Sequence, residues 1–82
     1  MKYQVKIKKK AIKDLKFLSK TNASKIIEKI QLLEENVTGD VKKLTNFTPE
    51  YRLRVGDFRI LFEIQKETIL VYRVIHRSKA YK

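Results

Sequence analysis

The stretch YRLRVGDFRILFEI, residues 51–64, carries Arg52, Arg54 and Arg59 inside β-branched and aromatic runs that read as strands. Lysine would serve an exposed strand equally well as a solubilising charge, and the chain uses lysine freely elsewhere. Arginine differs in one respect that matters. Its guanidinium is a planar, permanently charged fork that takes a phosphate through two hydrogen bonds, where lysine offers a point charge. In a strand, residues i and i+2 share a face. Arg52 and Arg54 therefore line up, with Leu53 and Val55 turned to the other side. Phe58, Ile60, Phe62 and Ile64 alternate inward, which puts Arg59 on the open face. Arg73 or His76, and then Arg77, extend this patch past the last strand. A basic surface spanning three adjacent strands suits a phosphate backbone. The same residues also fit a plain alternative, in which the arginines pair across the sheet with Glu63, Asp57 or Glu67 and lay their stems on apolar neighbours. Spacing alone does not choose between the two.

The elements that hold these residues follow from periodicity. KYQVKIKK alternates, with Tyr3, Val5 and Ile7 on one side and lysines and Gln4 on the other, as in a half-buried strand. From Lys9 the period changes. Ile12, Leu15 and Leu18, with Ala11 beside them, predict a helix to about Lys20. TNAS then reads as a break, with Asn22 as the N-cap. A second helix presents Ile26, Ile27, Ile30 and Leu33 on one face and fades at NVTGD, where Gly39 is a natural stop. Residues 40–50 read as a linker. Three strands follow, punctuated by Gly56-Asp57 and by Lys66-Glu67. The expected fold is one α+β domain over residues 1–82, in the order β-α-α-β-β-β. Its two N-terminal helices pack on one face of a small, mostly antiparallel four-stranded sheet.

Composition narrows the function. The chain has 82 residues, no cysteine and a formal net charge of +11. That excludes a disulfide framework and a thiolate metal site. One histidine and scattered acids are poor ligands for any other metal. No apolar run approaches membrane-spanning length, and the basic start is not followed by an apolar signal segment. The expected location is the cytoplasm. The charge gathers at the two ends, with +7 over residues 1–20 and +4 over residues 73–82. Ends that meet in the fold would make one positive surface, the footprint of nucleic acid or of an acidic protein partner. The plain alternative is a solvated lysine face that only aids solubility. The N-x-S/T triplets at Asn22, Asn36 and Asn46 are better read as cap and turn chemistry than as glycan sites.

The Arg-Val-Gly-Asp-Phe-Arg turn, the terminal His-Arg-x-x-x-Tyr, and AIKDLKFLSK as a first helix resemble the RelE/ParE superfamily of bacterial toxin–antitoxin toxins. The resemblance covers essentially the whole chain and agrees with the β-α-α-β-β-β order. It implies a RelE-like microbial RNase fold. It also implies a ribosome-dependent messenger-RNA endoribonuclease that needs no metal or other cofactor, because the substrate's 2′-hydroxyl attacks the adjacent phosphate. The implied partners are the ribosome with its message and a cognate acidic antitoxin. Arg59, Arg77 and Tyr81 match the family's site residues. Arg52 and Arg54 fall where some members carry lysines that assist proton transfer. Arginine cannot take that role, so both would grip phosphate and stabilise transition-state charge. Arg73 and Lys79 join them as RNA-binding residues. His76 becomes the candidate base, since histidine ordinarily titrates near pH 6.5. Its plain alternative is a packing or helix-end histidine, and that of Tyr81 is an aromatic that tacks the tail down. Two other classes remain open. One is a ParE-type inhibitor of DNA gyrase, and the other is a basic RNA-binding module without catalysis.

Overall fold

The computed structural model describes residues 2–35, 37, 40–44 and 49–79. Strand β1 (Gln4–Ile7) realises the first alternation: Val5 and Ile7 pack on the core, while Gln4 and Lys6 are exposed. Helix α1 (Lys9–Lys16) follows and buries Ala11 completely. It is shorter than the periodicity predicts. Phe17 and Leu18 close it with i→i−3 bonds to Asp14 and Leu15, and Ser19 then adopts an extended conformation. Helix α2 (Lys20–Leu32) starts one residue later, with the Ser19 hydroxyl accepting the Asn22 backbone N–H at 3.2 Å. The N-cap is thus Ser19, and Asn22 lies inside the helix it was expected to cap. The break is invisible to the apolar period because Leu15 and Leu18, on either side of the helix end, both pack on the core. Ile12 and Ile27 were expected inward but are exposed, whereas Ile26, Ile30 and Leu33 are buried. Helix α2 is capped at Leu33, and Gly39, expected as its stop, lies outside the described residues.

The sheet has five strands, one more than expected. The addition is β2 (Val41–Lys43), which pairs antiparallel with β3 (Tyr51–Val55). Three residues, two of them lysine, are too few to show a period, and only pairing with β3 makes them a strand. Strands β4 (Phe58–Gln65) and β5 (Thr68–His76) complete the meander. The turns fall at Gly56-Asp57 and Lys66-Glu67 as expected, with Gly56 and Lys66 both at φ 57°. Spatially the order is β1-β5-β4-β3-β2, and β1 lies parallel to β5. A parallel neighbour requires a long crossover, which the two helices supply. They bury Ala11, Ile26, Ile30 and Leu33 against Leu53, Ile60, Phe62, Ile69, Val71 and Val74.

One polar contact ties α1 to the sheet. Strand β1 pairs with β5 only as far as Val71. Beyond it the Val74 N–H is donated to the Asp14 carboxylate at 2.9 Å, which also takes Arg73 through two bonds of 2.8 and 3.1 Å. The Asp14 side chain is only 17% exposed. Asp14→Ala would leave a part-buried N–H without a partner, and should cost about 2 kcal/mol in urea unfolding without changing the m-value. A loss below about 0.5 kcal/mol would show that water replaces the carboxylate without penalty.

Candidate functional site

Side-chain alternation and strand register sort the basic residues by face. Leu53, Val55, Phe58, Ile60 and Phe62 pack against the core cluster on the helix side. Arg52, Arg54 and Arg59 alternate with them and so occupy the opposite side. Arg54 lies directly across the ladder from Arg59, and Arg52 across from Leu61, which in turn faces Arg73. Lys42 of β2 adds a further cation opposite Arg52. The arginine face is therefore real and runs over β3, β4 and β5.

Three of these arginines are paired, though not with the acids spacing suggested. The Asp40 carboxylate takes Arg54 Nε at 2.6 Å and Arg52 Nη1 at 3.4 Å. Its backbone carbonyl accepts the Arg54 N–H at 2.9 Å. Arg52 is more enclosed than an open-face residue should be, with its side chain 11% exposed. At Asp40, loss of hydration raises the carboxyl pKa, but the charges and hydrogen bonds of Arg54 and Arg52 outweigh it and hold it below the usual value. The folded pKa is depressed. This clamp therefore contributes stability above the ordinary aspartate pKa of about 4 and loses it as pH falls through the lowered one. Arg73 is held by Asp14, and that hydrogen bond raises its own pKa. Its positive charge is fixed.

Arg59 is different. Its guanidinium reaches only the carbonyls of Phe58 and Gly56, at 3.2 and 3.4 Å, and no carboxylate lies within ion-pair distance of it among the described residues. Like charges directly opposite on a ladder repel. The Arg54–Arg59 pair repels to the extent that Asp40 leaves Arg54 uncompensated, and an anion bridging the two would remove that repulsion.

The C-terminal residues gather at the same end of the sheet. Arg77 opens a 3-10 turn (Arg77–Lys79), donates its backbone N–H to Asp57 O at 2.8 Å, and sets its Nε 3.8 Å from the Asp57 carboxylate. His76 is opposite Phe58 in the ladder and meets its ring edge-on, 5.6 Å between centroids. It therefore leaves β5 on the helix side, not among the arginines. The Ser78 backbone N–H points at His76 Nδ1 at 3.2 Å, with the Ser78 hydroxyl 3.0 Å away. The amide contact favours the tautomer protonated at Nε2. With Nδ1 protonated, the ring gives up the Ser78 amide and donates to the Ser78 hydroxyl instead, which frees Nε2 as an acceptor. Lys79 lies in the 3-10 turn, and Tyr81 lies outside the described residues.

The model of the ParE toxin family of type II toxin–antitoxin systems matches residues 5–81. The chain belongs to the RelE/ParE superfamily of type II toxin–antitoxin toxins. A RelE1 toxin candidate of Methanocaldococcus jannaschii is 34% identical over 88 aligned positions, covering 100% of this chain and 98% of that one. The RelE–RelB complex of Pyrococcus horikoshii OT3 contains a similar chain, with TM-score 0.80 and 30% identity over 98% of this chain and 100% of that one. The RelB–RelE antitoxin–toxin complex of Methanococcus jannaschii gives 0.73 and 34%, over 92% and 93%. In this toxin the sequence reading missed Asp40 and Asp14, the two carboxylates that orient the arginines. Asp40 lies 12 residues from Arg52 and further from Arg54, and Asp14 lies 59 from Arg73, so no local spacing could reveal them.

Proposed function

We propose that this toxin is a ribosome-dependent, metal-independent messenger-RNA endoribonuclease. The observation that carries the reading is Arg59, a guanidinium with no carboxylate at ion-pair distance among the described residues, which faces Arg54 across the ladder. Beside it, Asp40 holds Arg52 and Arg54 in a fixed orientation. A scissile phosphate bridging Arg59 and Arg54 relieves their repulsion and gains charge-assisted hydrogen bonds that strengthen as negative charge develops. In this mechanism the 2′-oxygen bonds to phosphorus and the bond to the 5′-oxygen breaks. One proton leaves the 2′-hydroxyl and one reaches the departing 5′-oxygen. Arg59, Arg54 and Arg77 hold the phosphate oxygens, while Arg52, Arg73 and Lys79 grip the flanking backbone. His76 takes the proton at Nε2 once Nδ1–H is turned to Ser78, and Tyr81 assists by stacking or proton donation. Because His76 leaves β5 on the helix side of the sheet, the reacting ribose must reach round the end of β5.

A charge of +11 calls for an acidic partner, and a cognate antitoxin would neutralise it by lying over the sheet and first helix. No helix among the described residues is long and apolar enough to cross a membrane. Action on translating ribosomes places the toxin in the cytoplasm.

The matching family model bears the ParE name, which favours inhibition of DNA gyrase as the second reading. Induced expression without the antitoxin separates the two. Growth should stop within a generation, with transcripts cut inside their coding regions and chromosomal DNA intact. Arrest with broken DNA and whole transcripts would decide for gyrase. Normal growth at high expression would remove the toxin activity altogether.

A further inference from the structure

The arginine face carries a second feature, of which the proposed cleavage uses only Arg73. Between the start of α1 and the middle of β5 lies a cleft of about 610 Å³. Ile7 and the buried Pro49 make it apolar, and Tyr72 supplies an aromatic side. Lys8, Lys9 and Lys10 line it with cations. None of the three has a carboxylate within ion-pair distance among the described residues, whereas Arg73, also at the cleft, is held by Asp14. An apolar and aromatic interior with unpaired cations fits a nucleobase and its adjoining phosphates.

Two details sharpen the fit. Strand β5 has an irregularity opposite Leu61 and Phe62, which pair with Arg73 and Val71 and leave Tyr72 unmatched. Such bulges re-aim a side chain. The Lys8 ammonium stands over the Tyr72 ring at 4.7 Å, where a stacking base would sit. Cation–π contacts of exposed lysines are weak, so a base can displace the ammonium, which is then free to meet a phosphate. Lysines in the first turn of α1 also oppose the helix dipole, and a phosphate beside them removes that repulsion. The cleft is near the proposed cut. Arg73 faces Leu61, two residues along β4 from Arg59, or about 7 Å along the strand and about 5 Å across to the next.

We infer that this cleft is a second nucleotide subsite, which stacks one unpaired base of a single-stranded RNA on Tyr72 and holds its phosphates with Lys8, Lys9 and Lys10. The inference rests on the nuclease reading for the identity of the strand, but binding can be measured without cleavage. The probe is a short, fluorescein-labelled single-stranded RNA, with its 2′-hydroxyls methylated so that it cannot be cut. It is titrated with the 82-residue toxin over a salt series. Tyr72→Leu keeps an apolar side chain and should weaken binding about tenfold with the salt slope unchanged. The Lys9→Ala/Lys10→Ala double variant should weaken it about tenfold and flatten the slope by about 1 to 1.5. Lys25→Ala/Lys29→Ala removes the same charge from α2 and should change affinity less than threefold. Urea unfolding of each variant checks that the fold is kept. Equal losses in the two lysine doubles would reduce the effect to diffuse charge and overturn the subsite. So would full affinity in Tyr72→Leu, or a poly-glutamate peptide that competes as well as unlabelled RNA. If the nuclease reading fails, ribosome-programmed cleavage is absent in the wild type whatever this titration shows. If only the subsite fails, cleavage persists and the Tyr72 effect vanishes.

Discussion

A message carrying a single 2′-deoxyribose on the 5′ side of the cut is expected to survive on programmed ribosomes while the normal message is cleaved. The chemistry proposed here needs an attacking group that the substrate itself carries. The protein then has only to align that hydroxyl, hold the phosphate and move a proton. Without the oxygen no bond to phosphorus can form, so single-turnover cleavage should fall below detection, a loss of at least about 10⁴-fold in rate, or roughly 5 kcal/mol of barrier. Binding should change little, because in the proposed complex the arginines hold phosphate rather than ribose. Products from the normal message should end in a 2′,3′-cyclic or 3′-phosphate, and cutting should continue in chelator if polyamines keep the ribosome intact. His76→Gln should slow the same step most at neutral pH, and Tyr81→Phe less. Equal cutting of the deoxy and normal messages would rule out 2′-hydroxyl attack. No cutting of either, with gyrase inhibited instead, would promote the second reading.

Arg59→Ala should lower cleavage by about 10²–10³-fold and abolish growth arrest, the range expected when a donor to transition-state charge is lost. Its effect on stability should have the opposite sign to that of an ordinary truncation. The residue gives up two long bonds to its own turn and relieves the repulsion with Arg54, so the melting temperature should hold or rise slightly. Arg77→Ala should be similarly inactive, with stability changed by less than about 0.5 kcal/mol, because its ion pair with Asp57 is exposed. Arg59→Lys keeps the charge but loses the fork, and should remain defective. Growth and thermal melting measured on the same variants separate loss of chemistry from loss of fold. Full toxicity in both alanine variants would return Arg59 and Arg77 to the role of solubilising surface charges.

The sequence by itself determined which face the residues of β3 and β4 take. Alternation is a local property, so Leu53 and Val55 against Arg52 and Arg54, and Ile60 and Phe62 against Arg59, were legible without neighbours. The same holds for the turns at Gly56-Asp57 and Lys66-Glu67, and for the two helices ahead of the meander. Tertiary structure decided what pairing alone can create. Strand β2 exists because β3 lies beside Val41, and the boundary between the helices depends on Ser19 leaving helical geometry where two core leucines hide the break. The choice between free and paired arginines was also nonlocal. Asp40 and Asp14 reach Arg52, Arg54 and Arg73 only after the chain has folded, and Arg59 is distinguished from them because none of the described carboxylates arrives beside it. The register of β4 with β5 likewise turns His76 toward Phe58 and away from the arginines. In a regular strand a side chain's face follows from its own sequence, but a bulge such as that of β5 and the partners of every side chain follow from where distant segments pair and stop, and that is fixed by packing the helices across the sheet.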